Sequence, residues 1–522
     1  MFMTKSQCLG WLSTGLLSLG LSQSVMAADA FSPNVTRLIV KLKPTAATAS
    51  KSTLPRAMAA DTVWRLSARA ASKLTYQRPM AGDAHLLQLP NAMTLADAQV
   101  FAQRVAQQAE VEYAVPDRVL YPMLTPNDQY FADYQWNLRS SQQYPGAINA
   151  VSAWDVTTGS SSTVIAVVDT GIASDHEDFT GRFATDSNGR IGIDMISDDA
   201  TAKDANSGRD WNPYDSAGDW HGTHVAGILG ATGNNTVGVA GVNWQARILP
   251  VRVLGEGGGT LSDIIDGVHW AVGDPAVPVV VGSTSAGYIP QNTRPAKVVN
   301  MSLGGEGVCS AAEQEAISYA LSKGAVVIVS AGNDGKNMDI TPYSPATCSG
   351  VINVAAITPQ GQKASFSNYG SSITLAAPGT TVDASVGIAS TVGPASGYVN
   401  GEYSGTSMAA PHVAGVVGLM LAINPNLTPE QTKQILVASV RPHVDTSWAM
   451  GAGLLDACRA VKLTQGQSMS TCDTTSGGGS SGDSSSSSGG GGSLDWLMLA
   501  LLGSGLFARR AYGFVQTKGR LS

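Results

Sequence analysis

Five short aliphatic runs, each separated from the next by a longer stretch of mixed polarity, constrain the fold of this 522-residue chain more than any other feature. They are Thr163–Val168, Ile248–Leu254, Val298–Met301, Ala325–Val329 and Val351–Ala355. Near-continuous apolarity, in place of the alternation of a half-exposed strand, means burial on both faces, which is the condition of a parallel sheet covered by helices. Helical segments such as Ser262–Val272 and Ala311–Lys323 lie between the runs. The expected fold is α/β, a mostly parallel central sheet with helices on both faces. Functional groups of such sheets gather at the carboxyl ends of the strands, and Asp169, Ser302 and Asn333 each stand just after a run.

Composition narrows the class. The chain is 43% apolar, 14% charged and carries a formal net charge of −7. That is enough apolar matter for one large core with appendages. The net negative charge and the lack of Lys/Arg runs exclude a phosphate-neutralising patch, so no nucleic-acid partner is expected.

The ends of the chain read as targeting segments. Lys5, the apolar stretch Cys8–Leu21 and the small residues around Ala27 form a signal-peptide pattern over 1–27. Its removal takes Cys8 and leaves Cys309, Cys348, Cys458 and Cys472, an even number in an exported chain. Sequence proximity suggests Cys309 with Cys348 and Cys458 with Cys472, one of three possible connectivities. Between 28 and 125, strand patterns at Arg37–Leu42, His85–Leu89 and Val111–Pro116 and a helical pattern at Leu95–Ala109 read as a small α+β module. The main domain is expected over 126–464, followed by a flexible Gly/Ser linker over 465–493. The final segment, 494–522, is a short hydrophobic stretch followed by Arg509-Arg510, too short for an ordinary span, with a retained membrane anchor as the rival reading.

Three glycine-flanked motifs carry chemistry: Val167-Val168-Asp169-Thr170-Gly171, His221-Gly222-Thr223-His224-Val225-Ala226-Gly227 and Gly405-Thr406-Ser407-Met408-Ala409-Ala410-Pro411. A serine hydroxyl attacks a carbonyl only if an imidazole takes its proton, and the imidazole needs a carboxylate to fix its tautomer. Ser407 also opens a long apolar helical run, where the helix dipole favours developing negative charge. The HExxH pattern of a zinc site is absent around His221 and His224.

The Asp, His, Ser order and these motifs closely resemble the subtilisin-like serine proteases, the subtilases, over about Trp136–Leu463. The resemblance implies a secreted endopeptidase acting on proteins or peptides, with Ser407 as nucleophile, His221 as base and Asp169 as its orienting group. His224 would pack inside its helix. Ser330-Ala331-Gly332-Asn333 resembles the oxyanion segment, so Asn333 and the Ser407 N–H would hold the oxyanion. Ser302, Leu303 and Gly304 would form one substrate edge, and Gly257, Gly258 and Gly259 the other, although Asp274–Lys297 departs from the family as an insertion. Gly233–Val239 resembles the family's calcium loop, implying structural Ca²⁺ held by Asp178, Gly233, Asn235, Val237 and Val239. Asp204, Asp210, Asp215 and Asp219 would either hold a second ion or form a solvated acidic loop. The 28–125 module resembles the inhibitory propeptide, with processing between Tyr121 and Asn127. The tail resembles the bacterial GlyGly-type sorting signal. Expected partners are therefore the chain's own propeptide, the export and C-terminal processing machinery and, transiently, the membrane, with the enzyme acting as a monomer. A catalytically inactive binding protein on the same fold and an esterase are the alternatives.

Overall fold

The computed structural model describes residues 35–44, 57–117, 124–204, 208–216, 218–281, 284–381, 387–394 and 398–472. The expected signal peptide (1–27), the linker from residue 473 and the final segment (494–522) lie outside the described residues.

A seven-stranded sheet forms the centre of the main body, in the order Leu375–Pro378, Ile352–Ile357, Val326–Ser330, Val298–Met301, Val164–Asp169, Arg247–Arg252, Ile193–Asp194. Every neighbouring pair is parallel. Alternate residues of each strand feed opposite layers. Ile165 and Val167 pack with the helices His221–Gly230 and Thr406–Ile423. Ala166 and Val168 pack with Leu261–Ala271 and Ala311–Ser322. The continuous aliphatic runs are thus explained by two apolar cores, one on each face of the same strands.

Strand order reverses beside Val164–Asp169. The chain runs from it to the edge strand Ile193–Asp194, returns to Arg247–Arg252 on the same side, and then crosses to Val298–Met301 and its successors on the other. Such a switch point opens a crevice at the carboxyl ends of the strands. Asp169 ends one strand, Ser302 follows a second, and Asn333 follows a third by three residues.

The N-terminal module has its own four-stranded antiparallel sheet, ordered Thr75–Pro79, Ala84–Met93, Val35–Leu42, Val111–Pro116. Leu38, Val40, Leu66, Leu87, Phe101 and Val105 fill a core distinct from the two of the main body. The helix Ala60–Arg69 and the strand Thr75–Pro79 are additional to the sequence expectation.

Disulfides join Cys309 to Cys348 and Cys458 to Cys472. The second fastens a short 3₁₀ turn, Met469–Cys472, to the helix Ala457–Thr464. Folded structure therefore continues past residue 464, where the linker was expected to begin. The Asp274–Lys297 insertion contains an antiparallel hairpin, Pro278–Val281 with Thr284–Tyr288.

Candidate active site

His221 begins its helix behind Trp220, which adopts a left-handed φ of 54°. Asp219 accepts the His221 N–H at 3.1 Å, a carboxylate answering an unpaired donor at the helix start. A Cβ at Gly222 would lie 2.2 Å from the Gly171 carbonyl oxygen and 3.1 Å from the Asp169 Cβ, so the glycine after His221 is what lets the helix approach the Asp169 strand. The Gly222 N–H donates to Thr170 Oγ1 at 2.8 Å and holds that approach.

The result is a short contact, with His221 Nδ1 2.7 Å from Asp169 Oδ1. Asp169 is fully buried, and the same oxygen accepts the Thr170 N–H at 2.8 Å. Its Oδ2 has no donor among the described residues. Burial works against a charged imidazolium at His221, yet Asp169, with Asp219 and Asp215 beyond it, overrides that cost and pushes the imidazole pKa up to about 9. The His221 side chain stays 25% exposed, so one edge faces the cleft.

His224 shows the opposite environment within the same helix. It is completely buried, its Nε2 donates to the Ile388 carbonyl at 2.9 Å, and its ring lies 4.6 Å from that of Tyr403. Burial pushes its pKa down to about 3, so it remains neutral. His412, beside Asn137 and bonded to the Met408 carbonyl at 2.7 Å, is likewise pushed down, to about 4.

Ser407 is the second residue of the helix Thr406–Ile423, so its N–H has no intrahelical acceptor. Pro411 lacks the N–H that would bond the Ser407 carbonyl four residues back. Ser302 Oγ supplies that bond instead, at 2.8 Å. The Ser407 hydroxyl returns the contact, donating to the Ser302 carbonyl at 3.2 Å. The hydroxyl proton is thus directed at Ser302.

Asn333 is held by the adjacent residue of the same motif. Its Oδ1 accepts both the Thr406 N–H, at 2.8 Å, and the Thr406 hydroxyl, at 2.9 Å. With its oxygen committed to the backbone beside Ser407, the Asn333 Nδ2 amide is the group left to donate. Gly257, Gly258, Gly259, Ser302, Leu303 and Gly304 line one cavity of about 840 Å³ together with Asp219 and His221.

The four acidic residues before His221 do not gather at one point. Asp204 pairs with Arg252 at 3.3 Å beside the buried Arg252–Asp194 pair. Asp210 bonds through its backbone to Asp194. Asp215, fully buried, accepts the Thr223 N–H at 3.2 Å and its hydroxyl at 2.8 Å. Asp219 caps His221. Arginine, hydroxyl and backbone groups thus divide these residues among separate contacts. Among the described residues no group of three or more His, Cys, Asp or Glu side chains is placed to hold a metal.

The 233–239 loop lies past the other end of the ten-residue His221 helix, about 15 Å along its axis. Asp178 Oδ1 accepts from Asn235 Nδ2 at 2.9 Å and its Oδ2 accepts the Val239 N–H at 3.0 Å. Asn235 Oδ1 accepts the Val237 N–H at 2.9 Å. Thr236 sits at φ 67°, an unfavourable conformation for a β-branched residue. A segment that the sequence reading did not connect with this loop restrains it. Asn127 Oδ1 accepts the Thr236 N–H at 2.9 Å, and Asp128 Oδ2 accepts the Asn234 N–H at 2.7 Å. Asp128 is 4% exposed, its Oδ1 has no donor among the described residues, and burial raises its pKa. Asp128 stands two residues after Pro126, at the expected start of the main domain, where the sequence pointed to a processing site and not to an ion ligand.

Comparison with known proteins decides the family. The Subtilase family model matches residues 160–470. The chain belongs to the subtilase family. An "Extracellular protease" of Xanthomonas campestris pv. campestris is 39% identical over 436 residues, covering 80% of this chain and 70% of the relative. Thermitase of Thermoactinomyces vulgaris is 36% identical over 340 residues, 65% of this chain and 99% of thermitase. Among solved structures, a protease from Pseudoalteromonas arctica PAMC 21717 shares 42% identity at a TM-score of 0.57, covering 65% of this chain and 99% of that one. This subtilase is a serine endopeptidase with the α/β fold of its relatives.

Proposed function

We propose that this subtilase is a secreted endopeptidase that uses Asp169, His221, Ser407 and Asn333 on protein substrates. The observation that carries the assignment is the 2.7 Å His221–Asp169 contact, with His221 lining the same cavity as Ser302, which exchanges hydrogen bonds with Ser407. The Ser407 oxygen attacks the scissile carbonyl carbon while its proton passes to His221 Nε2. Asp169 at Nδ1 stabilises the imidazolium. The carbonyl oxygen, now negative, accepts from Asn333 Nδ2 and the Ser407 N–H. When the C–N bond breaks, His221 gives its proton to the departing amine and the acyl group remains on Ser407. Water then attacks the ester, again through His221, and releases the acid and the free serine. An extended substrate adds as a strand between Ser302–Gly304 and Gly257–Gly259.

The N-terminal module, with its own core and sheet, is the inhibitory propeptide of a zymogen that processes itself between Tyr121 and Asn127. The signal-peptide pattern over 1–27 and relatives named extracellular proteases support secretion or surface display by a bacterium. The tail directs sorting and is removed.

Calcium fits the 233–239 loop. Asp178, Asn235 and the carbonyls of Gly233, Val237 and Val239 are hard oxygen donors, and the orphaned Oδ1 of buried Asp128 adds a sixth residue to the set. The Asn235 oxygen keeps a lone pair beyond its bond to Val237. The ion would be structural, neutralising buried charge and holding the strained loop.

The decisive experiment is casein hydrolysis by the wild type and by Ser407→Ala, with labelling by a fluorophosphonate. Cleavage and Ser407 labelling are expected only in the wild type, and cleavage surviving the substitution refutes the assignment. Mass spectrometry of the purified mature chain tests both ends, since processing predicts a start between residues 122 and 127 and loss of the tail.

A further inference from the structure

The space beside Asn333 that should receive a substrate side chain is already occupied. Tyr343 lies in the short strand Tyr343–Ser344, which pairs antiparallel with Gly305–Glu306. A Cβ at Gly304 would stand 2.7 Å from Tyr343 Cε1, and a Cβ at Gly332 would stand 2.7 Å from Tyr343 Cζ. One ring edge is therefore in contact with both backbones. Gly304 belongs to the segment that starts at Ser302, which exchanges hydrogen bonds with Ser407. Gly332 directly precedes Asn333. The Tyr343 hydroxyl donates to the Gly304 carbonyl at 3.2 Å and fixes the ring across the gap. Burial, followed by the charge of Asp334, raises the phenol pKa, so this donor persists in mildly alkaline solution.

A peptide lying along Ser302–Gly304, with its scissile carbonyl at Ser407 and its oxygen at Asn333, directs the side chain just before that carbonyl between these two glycine backbones. The geometry points to Tyr343 as a specificity-determining residue that closes this first pocket, restricting cleavage to bonds after Gly, Ala or Ser. The larger cavity remains open. Leu254, Leu261, Ile264, Val268, Met301 and Leu303 line it, and Leu261 is 43% exposed at its rim. Because successive side chains of an extended peptide point to opposite sides, this cavity takes a bulky apolar side chain farther upstream while the residue at the bond stays small. This inference rests on the protease assignment above and specifies its substrate class.

The test is kcat/KM for the processed enzyme on a peptide series in which only the residue before the scissile bond changes, through Ala, Leu and Phe. A second series keeps Ala there and varies one upstream position at a time. The wild type is expected to prefer Ala over Phe by about 10-fold or more, the scale on which an apolar pocket discriminates by size. Tyr343→Ala should raise the Phe:Ala ratio by about the same factor, whereas Tyr343→Phe should keep the wild-type order because the ring remains. A wild type that accepts Phe as readily as Ala overturns the inference, and it does so even if the Tyr343→Ala variant does not fold. An unchanged Phe:Ala ratio in folded Tyr343→Ala also overturns it. A wild-type chain that cleaves no peptide and takes up no fluorophosphonate at Ser407 overturns the protease assignment itself.

Discussion

Buried carboxylates occur at both ends of the His221 helix, and they meet different partners. At the cleft, Asp169 faces an imidazole that can gain and lose a proton, and Asp215 lies beneath the next residues of the same helix. At the 233–239 loop, Asp178 and Asp128 face amide N–H groups, and Asp128 Oδ1 receives none. A titratable partner makes buried negative charge reactive. Donors that cannot titrate leave a standing demand for a cation, which suits a structural ion.

This contrast predicts that cleft substitutions act on turnover and loop substitutions on thermal stability. The largest effect is expected from Ser407→Ala, a loss in kcat on the order of 10⁶, a magnitude carried over from subtilisin itself. Circular dichroism should report an unchanged fold.

Asp169→Asn is expected to cost about 10⁴ in kcat, because the imidazole loses the carboxylate that fixes its tautomer. It also yields a pH signature. His221 acts as a base only when neutral, and its pKa is pushed up to about 9, so the acidic limb of kcat/KM should lie on the alkaline side of the ordinary 6.5. Removing the Asp169 charge should move that limb downward. A limb that stays in place would mean that another group titrates.

Asn333→Leu should lower kcat by about 10²–10³ with little change in KM, again a subtilisin magnitude, because the amide serves the developing oxyanion more than the bound substrate.

The smallest expected effect is at the loop. Calcium at 100 times its dissociation constant should stabilise the fold by about 2.7 kcal/mol. Calorimetry should show a Tm that falls on chelation, recovers with Ca²⁺, and loses this dependence in Asp128→Asn. If chelation abolishes turnover while leaving Tm unchanged, the two ends of the helix do not divide function as described.

Much of the central sheet could be read from the sequence because its strands are apolar throughout. Val298–Met301 matches to the residue, and Val164–Asp169 and Val326–Ser330 shift by one. Two edge strands could not be read, Leu375–Pro378 and Ile193–Asp194, which are short and take their conformation from a neighbour. The motif residues were legible as types, but not their contacts. The histidine pair shows why. His221 and His224 share one motif and one helix, yet a bond to Asp169 raises one pKa and full burial lowers the other. The acidic stretch before His221 resisted interpretation for the same reason, since Arg252, which answers Asp204, comes from 48 residues further along the chain.

By itself, the sequence determined the α/β class and the order in which carboxylate, imidazole and hydroxyl enter the fold, because apolar runs and glycine-flanked motifs are local properties of the chain. Tertiary structure alone decided that the side-chain oxygen of Asn333 is spent on Thr406, which carboxylate meets the 233–239 loop, and that the Tyr343 ring lies between Gly304 and Gly332. Those outcomes depend on distances between segments far apart in sequence, and such distances are fixed only when the two faces of the sheet are packed.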